Sequence, residues 1–223
     1  MKIKLALQAV IKFIMGLAVF MSLLLIPAGT LSYWNAWLLL ALLFIPIFSV
    51  GLVLFIKNPD LLRKRLQAKE KERTQKGVLF LGGLMFISGL LTAGFDFRYQ
   101  WFVIPKWIVI AASVIFLFSY MLYVLVLKQN QYLSRTVEIQ KNQKVIDTGL
   151  YGIIRHPMYL STLLLFLSMP LVLGSIFSFI IFLIYPFILV IRIKNEEQLL
   201  EKELEGYSDY KKRVKNRLIP FIW

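Results

Sequence analysis

The chain of 223 residues contains no cysteine, a single histidine and only 12 acidic residues against 26 lysines and arginines. Without cysteine it can form neither a disulfide nor a thiolate nucleophile, and a zinc site built from cysteine and histidine is excluded. We therefore expect no metal ion. Charged residues make up only 17% of the sequence, whereas about a quarter is usual for a soluble domain.

Hydrophobic residues instead make up 59% of the sequence, and several runs of them are long enough to cross a hydrocarbon layer about 30 Å thick as a helix. Four apolar runs occupy residues 13–26, 34–56, 77–95 and 107–127. A secretory signal that ends near Ala28 is an alternative interpretation of the first run. We favour a membrane span, because aromatic residues typical of a membrane interface follow it directly.

Residues 158–191 contain no charged side chain, and they are too many for one crossing. A straight helix of this length would measure about 51 Å. Pro170 and Gly174 lie near its middle, so we predict a helical hairpin that turns around Gly174. The sequence thus predicts an all-α, multi-pass membrane bundle with about six crossings.

The polar segments contain two further predicted helices. Asn58 and Pro59 are typical of a helix start, so residues 61–66 are expected to form a short amphipathic helix at the interface. Residues 195–205 of the charged tail are expected to be helical, with Gly206 as the stop. We treat the chain as one membrane domain with an N-terminal region, 1–127, and a C-terminal region, 128–223.

The positions of the basic residues predict the orientation of the bundle. If both termini are cytoplasmic, all but two of the 26 lysines and arginines lie on the cytoplasmic side, and the exceptions are Arg98 and Lys106. Such an excess is typical of cytoplasmic segments, so we expect both termini there. The same distribution explains the net charge of +14 without nucleic acid, for which no binding motif is present.

The predicted hairpin would bring two groups of polar residues together at the cytoplasmic surface. These are Tyr151, Arg155, His156 and Tyr159 before the hairpin, and Arg192, Glu196 and Glu197 after it. Ionisable groups near membrane depth indicate function, although each of these residues also has a structural explanation. Arg192 and Glu196 are four residues apart and share a helix face, which suits a ligand that carries an ammonium and a carboxylate.

A longer pattern carries a resemblance to a known family. It comprises Gly149-x-Tyr151-x-x-x-Arg155-His156-Pro157-x-Tyr159, Arg192-x-x-x-Glu196-Glu197-x-x-Leu200, Tyr207-x-x-Tyr210 and Arg217-Leu218-Ile219-Pro220. These segments resemble the isoprenylcysteine carboxyl methyltransferase family and are similar to the related phospholipid N-methyltransferases. Residues 28–34 and 58–62 resemble the bacterial-type members, so we expect a bacterial inner membrane.

The resemblance implies a membrane-embedded methyltransferase that uses S-adenosylmethionine and has no dinucleotide-binding domain. Its cofactor pocket would lie in the C-terminal region, 128–223, on the cytoplasmic side. Carried over by position, the cofactor-binding residues are Gln140, Gln143, Lys144, Val145, Ile146, Tyr151, His156, Pro157, Met158, Tyr159 and Glu196. Arg192 would contact the substrate, and the catalytic residues would be Arg192, Glu196 and His156.

The methyl acceptor and the class of protein stay open at this point. We expect a lipophilic or lipid acceptor in the membrane, and a carboxylate is favoured because it is already ionised and needs only to be positioned, by Arg192. A phospholipid amine or a small thiol would need a base such as His156. The other classes are an NADPH-dependent membrane ene-reductase, which has a similar Arg-His-Pro-x-Tyr segment, and a non-catalytic membrane protein. No signal for an oligomeric state is present.

Overall fold

The computed structural model of the chain describes residues 2–66, 73–133, 139–140, 142–220 and 222–223, although not the side chains of residues 73 and 74. The regular elements among these residues are all helical. They are α1 (Lys2–Ala28), α2 (Trp34–Lys57), α3 (Pro59–Leu66), α4 (Arg73–Tyr99), α5 (Lys106–Gln129), a 3₁₀ turn (Gly149–Gly152), α6 (Pro157–Val172), α7 (Ile176–Phe182), α8 (Tyr185–Glu203) and α9 (Tyr207–Arg213).

Among the residues that the structure describes, five segments are long and apolar enough to span a membrane, namely α1, α2, α4, α5 and the consecutive pair α7 and α8. The shorter apolar helix α6 lies beside them. On α5, Ile110, Val114 and Phe118 recur every fourth residue and are each more than half exposed, as a lipid-facing surface requires. Trp34 and Trp107 are exposed at helix starts, where interface aromatics are expected. The chain is a multi-pass helical membrane protein, as predicted.

Aromatic side chains pack α4 against the C-terminal helices. The ring of Phe86 on α4 meets Phe166 of α6 and Phe182 of α7 edge to face, with centroids 4.7 and 5.2 Å apart. Phe166 also packs against Tyr185 of α8, at 4.6 Å. Edge-to-face contacts of this kind add to the burial of the rings. Through them the hairpin is held against the centre of the bundle.

The hairpin turns at Gly174, which confirms the prediction made from residues 158–191. Gly174 has a φ of +75°, a conformation that glycine adopts without strain. The Tyr33 hydroxyl donates to the carbonyl of Leu173 at 2.7 Å, and the Ser175 hydroxyl donates to Oδ2 of the buried Asp96 at 2.6 Å. The turn, which follows the last residue of α6, is therefore held by Tyr33, directly before α2, and by Asp96 of α4.

The second arm of the hairpin differs from the prediction. It contains a break at residues 183–184, and the next helix begins with Tyr185 and Pro186. Pro186 lacks the N–H that a continuous helix would use. The helix predicted for residues 195–205 is wrong in its start, because α8 runs without interruption from Tyr185 to Glu203. Residues 194–203 are rich in good helix formers, so nothing ends the apolar helix where the charged segment begins.

Two shorter predictions can also be compared. The amphipathic helix is present as α3, and Asn58 caps it, because the Asn58 side-chain oxygen accepts from the backbone N–H of Leu61 at 3.1 Å. Gly206 lies beyond the end of α8 with a φ of +80° and leads into α9. The division of the chain at residue 127 stays a prediction.

We expect Gly94→Ala to destabilise the bundle where α4 crosses α1. A Cβ at position 94 would lie 2.7 Å from the backbone oxygen of Leu24 and 2.9 Å from Cβ of Pro27, and neither atom can rotate away. Overpacking of this kind costs about 1–3 kcal/mol. The apparent midpoint of thermal unfolding in detergent, followed by circular dichroism, should fall. Gly83→Ala is the control, since a Cβ there meets nothing within 4 Å. Equal midpoints for the two variants would refute the close crossing.

Candidate functional site

A cavity lies where the first turn of α6 meets the charged half of α8, with α9, Ile139 and residues 143–146 around it. All of the predicted site residues except Gln140 and Pro157 line it: Gln143, Lys144, Val145, Ile146, Tyr151, His156, Met158, Tyr159, Arg192 and Glu196. The other lining residues are Asn130, Tyr132, Leu133, Ile139, Arg155, Leu199, Leu200, Leu204, Tyr207 and Tyr210. The predicted residues are thus brought to one place, although their roles are still to be tested.

The sequence contains signals that could have predicted some of the lining residues that we did not assign. Leu200 and Leu204 follow Glu196 at intervals of four and therefore share its helix face. Tyr207 and Tyr210 belong to the pattern that carries the family resemblance. Asn130 and Tyr132, by contrast, follow α5 in a connection with no regular period, so no sequence signal places them at the cavity.

Tyr159 connects the two ends of the hairpin. The Nε of Arg192 donates to the Tyr159 hydroxyl at 2.9 Å, and this hydroxyl donates to Oε2 of Glu196. The Arg192 guanidinium also lies over the Tyr159 ring, 5.7 Å from its centroid. A cation and an anion from adjacent turns of α8 are therefore held in a defined relation by one hydroxyl group from α6.

Glu197 is the centre of a separate, buried cluster of charges. Its side chain is only 4% exposed, and its Oε1 accepts from Nε of Arg155 at 2.7 Å and lies 3.2 Å from Nε2 of His156. Its Oε2 accepts from Nε of Arg217 at 2.9 Å. The sequence analysis grouped Glu197 with Arg192 and Glu196 at the end of the hairpin, and it did not predict this cluster.

The C-terminal segment completes this cluster from the tail. Arg155 Nη1 donates to the carbonyls of Val214 and Lys215 at 2.7 and 2.8 Å. The backbone N–H of Arg155 donates to the carbonyl of residue 216, and that of His156 donates to the carbonyl of Arg217 at 2.9 Å. Residues 214–217 therefore lie along the segment that leads into α6, and His156 is held on both its backbone and its side chain.

Three tyrosines from outside α6 also line the cavity, namely Tyr151, Tyr207 and Tyr210. Asn130 donates to the Tyr151 hydroxyl at 3.0 Å, and the Tyr210 hydroxyl donates to the carbonyl of Tyr151 at 2.8 Å. Burial raises the pKa of Tyr151, Tyr207 and Tyr210 above its ordinary value. These hydroxyl groups therefore stay protonated at neutral pH, and they can donate hydrogen bonds but do not supply negative charge.

The short helix α3 contributes basic side chains next to the cavity, which the sequence did not indicate. Arg65 donates to the Tyr123 hydroxyl, and its Nη1 lies 3.9 Å from the sulfur of Met158, a lining residue. Lys64 donates to the side-chain oxygen of Gln140 at 2.6 Å. Gln140 does not line the cavity itself, but its backbone N–H donates to the side chain of Gln143, which does. The helix α3, which we expected only to lie at the membrane interface, therefore also contacts residues at the cavity.

The lining residues suit an organic ligand that carries both charges and has an apolar part. Glu196 supplies an anion, Lys144 and Arg192 supply cations, and the apolar surface comes from residues of the loop and of α8, including Ile146 and Leu200. Within the part of the chain that the structure describes, no group of three or more histidine or acidic side chains is placed to hold a metal ion.

We expect Glu197→Gln and Glu196→Gln to differ in stability although the two residues are adjacent. Loss of the charge at position 197 leaves the buried Arg155 without its counter-ion, which costs about 3–5 kcal/mol. Glu196 borders the cavity, so its substitution should cost about 1 kcal/mol or less. The free energy of unfolding can be measured for both variants by titration with a denaturing detergent. Similar losses in the two variants would contradict the central position of Glu197.

Comparisons with known proteins agree with the pattern read from the sequence. Residues 107–202 match the model of the isoprenylcysteine carboxyl methyltransferase (ICMT) family. The chain is also similar to the Delta(14)-sterol reductase TM7SF2 of Mus musculus, with 31% identity over 91 residues, which are 40% of this chain and 22% of that protein. The chain spans only about a fifth of the length of this curated relative. Over residues 107–202, which include the hairpin and the charged half of α8, the resemblance to the isoprenylcysteine carboxyl methyltransferase family is confirmed.

Proposed function

We propose that this protein is an S-adenosylmethionine-dependent methyltransferase that acts on a lipophilic acceptor in the membrane. The observation that carries the proposal is the arrangement of Arg192, Tyr159 and Glu196, which orders a cation and an anion beside a cavity at the end of a membrane span. The match to a family of membrane methyltransferases supports the same reaction.

The lining residues fit the chemistry of the cofactor. S-adenosylmethionine carries an ammonium, a carboxylate, a sulfonium and an adenosine group. Glu196 would bind the ammonium, and Lys144 the carboxylate. The rings of His156 and Tyr159, stacked with centroids 5.6 Å apart, line the cavity beside Glu196. The apolar residues Val145 and Ile146 would contact the adenine, and Gln143, Tyr151 and Met158 complete the lining part of the proposed set. Gln140 and Pro157 do not line the cavity, so their contact with the cofactor stays a prediction.

In the proposed mechanism the protein acts by positioning its ligands. When bound, the cofactor supplies an electrophilic methyl group. Arg192 would bind the acceptor carboxylate through paired hydrogen bonds and hold it in line for methyl transfer. No base is required, because a carboxylate is ionised at neutral pH. His156 is held by Glu197 and by the backbone of the tail, so we assign it to binding the cofactor and not to proton transfer.

The membrane setting follows from the same proposal. With both termini in the cytoplasm of a bacterium, the cavity would open to the compartment that contains the cofactor. The acceptor would approach from the bilayer along the apolar surface of the helices. In this arrangement residues 128–223 form the catalytic region, and residues 1–127 supply membrane spans and the supporting helix α3.

The sterol reductase relative gives one specific reason to keep a second class of function. A segment of this chain is similar to part of that reductase, so a reductase that binds NADPH in the same cavity is the second candidate. The pair Glu196 and Glu197 after Arg192 fits the methyltransferase pattern better, so we favour methyl transfer. A protein that keeps the fold without catalysis is the third possibility, and it would bind neither ligand.

We expect S-adenosylhomocysteine, and not NADPH, to bind the detergent-solubilised protein in isothermal titration calorimetry. Glu196→Ala and His156→Ala should weaken this binding by about tenfold or more, since hydrogen bonds to a charged group contribute about 1.5–3 kcal/mol. Arg192→Ala should change it little, because we assign Arg192 to the acceptor.

Binding of NADPH alone would favour the reductase, and binding of neither ligand would favour a non-catalytic protein. Unchanged affinity in both the Glu196 and the His156 variants would refute the proposed cofactor site. Circular dichroism of each variant is the control for folding.

We expect the methyl group from a labelled cofactor to appear in a lipid extract as an ester. Mild alkali should release the label as methanol if the acceptor is a carboxylate, whereas a methylated amine or thioether would retain it. Arg192→Ala should reduce the labelling strongly although the cofactor still binds. Mass spectrometry of the labelled product would identify the acceptor. A label resistant to alkali would exclude carboxylate methylation and favour an amine or a thiol.

A further inference from the structure

A second cavity lies between α9 and the last residues of the chain, apart from the candidate active site. Five residues line it: Arg155, Lys211, Lys215, Arg217 and Trp223. Four of them are cations, one is an aromatic residue, and none has a carboxylate side chain. We propose that this cavity, the tail pocket, binds a phosphate group, carried either by an anionic phospholipid or by a soluble phosphate.

The positive charge of the tail pocket is only partly neutralised by the protein. Arg155 and Arg217 share one carboxylate, that of Glu197, and Lys211 pairs with Glu201. Lys215 is exposed and forms no ion pair among the residues that the structure describes. Four cationic side chains thus face two carboxylate side chains, which leaves the pocket attractive to an anion.

The two arginines of the tail pocket are held in place before any ligand binds. Arg155 is fixed by Glu197 and by two carbonyls of the tail. Arg217 donates its Nε to Glu197, and its guanidinium lies over the Trp223 ring at 5.3 Å. Its terminal nitrogens donate no hydrogen bond within the described part of the chain. A preorganised guanidinium with two terminal nitrogens suits the oxygens of a phosphate.

A general attraction between a basic tail and an acidic membrane is the other explanation to test. Lys212 and Arg213, next to the tail pocket in sequence, do not line it, and they pair with Asp209 and Asp147. Lys212→Gln and Lys215→Gln therefore remove the same charge from one short segment, but only the second removes it from the pocket. A comparison of the two variants therefore distinguishes binding in the tail pocket from a general attraction between the basic tail and an anion.

The experiment uses the full chain in a neutral detergent. Inorganic phosphate and, separately, monomeric dihexanoyl phosphatidylglycerol are titrated by calorimetry, with dihexanoyl phosphatidylcholine as the zwitterionic comparison. We expect saturable binding of the anionic probes at one site per chain. Lys215→Gln should weaken it about fivefold, the effect of one basic residue near a membrane surface, and Lys212→Gln should weaken it less than about twofold.

The two anionic probes also distinguish the sources of the phosphate. Similar affinities for both probes would mean that the phosphate alone is recognised, and a preference for the lipid would identify an anionic headgroup as the ligand. The proposal is overturned if neither anionic probe binds saturably, if phosphatidylcholine binds as well as phosphatidylglycerol, or if the two lysine variants weaken binding equally.

Discussion

The buried carboxylate of Glu197 is the interaction on which the geometry of the site depends. A carboxylate that is almost completely removed from water is stable only if its partners are present and well placed. Here the partners come from two separate segments: Arg155 and His156 before α6, and Arg217 in the tail. Glu197 therefore requires α8, the start of α6 and the tail to be in contact at the same time. The cavity is lined by residues of α8 and of the start of α6, so its position depends on this contact.

Glu196 and Glu197 are adjacent on α8 but have different surroundings, so this helix both stabilises the fold and contributes to the cavity. Successive residues of an α-helix are turned by about 100°. Since Glu197 points into the charged cluster, Glu196 is directed to the cavity, where the Tyr159 hydroxyl donates to it. His156 belongs to both environments, because it contacts Glu197 in the charged cluster and also lines the cavity. A side chain that is held on one side by a structural carboxylate is well suited to bind a ligand in one orientation, and poorly suited to rotate and transfer a proton.

Composition and periodicity predicted the features of this chain that depend on local sequence. The apolar runs placed the spans, and the charge-free stretch with Gly174 placed the hairpin turn, because span length and turn conformation are local constraints. Half of the residues that line the cavity were anticipated through the family pattern. What could not be predicted depends on tertiary contacts. The rotation of α8 decides which glutamate is buried, and the packing of α3 brings Arg65 to Met158. The end of the predicted tail helix was nearly right, but its start was wrong, because no breaker separates the apolar and charged halves of α8.

Arg155 lines both the candidate active site and the tail pocket, which gives the two cavities a shared wall. Its guanidinium is held by Glu197 and by two carbonyls, so it does not move freely between them. A fixed charge of this kind acts on ligands on both of its sides. An anion in the tail pocket would partly compensate Arg155 and Arg217 and so weaken their hold on Glu197, and Glu197 also holds His156. Any such effect on ligand affinity in the active site must be reciprocal, because coupling between two binding sites is a single free energy. The charged cluster that positions the site is therefore also the physical route by which a phosphate at the tail would influence it.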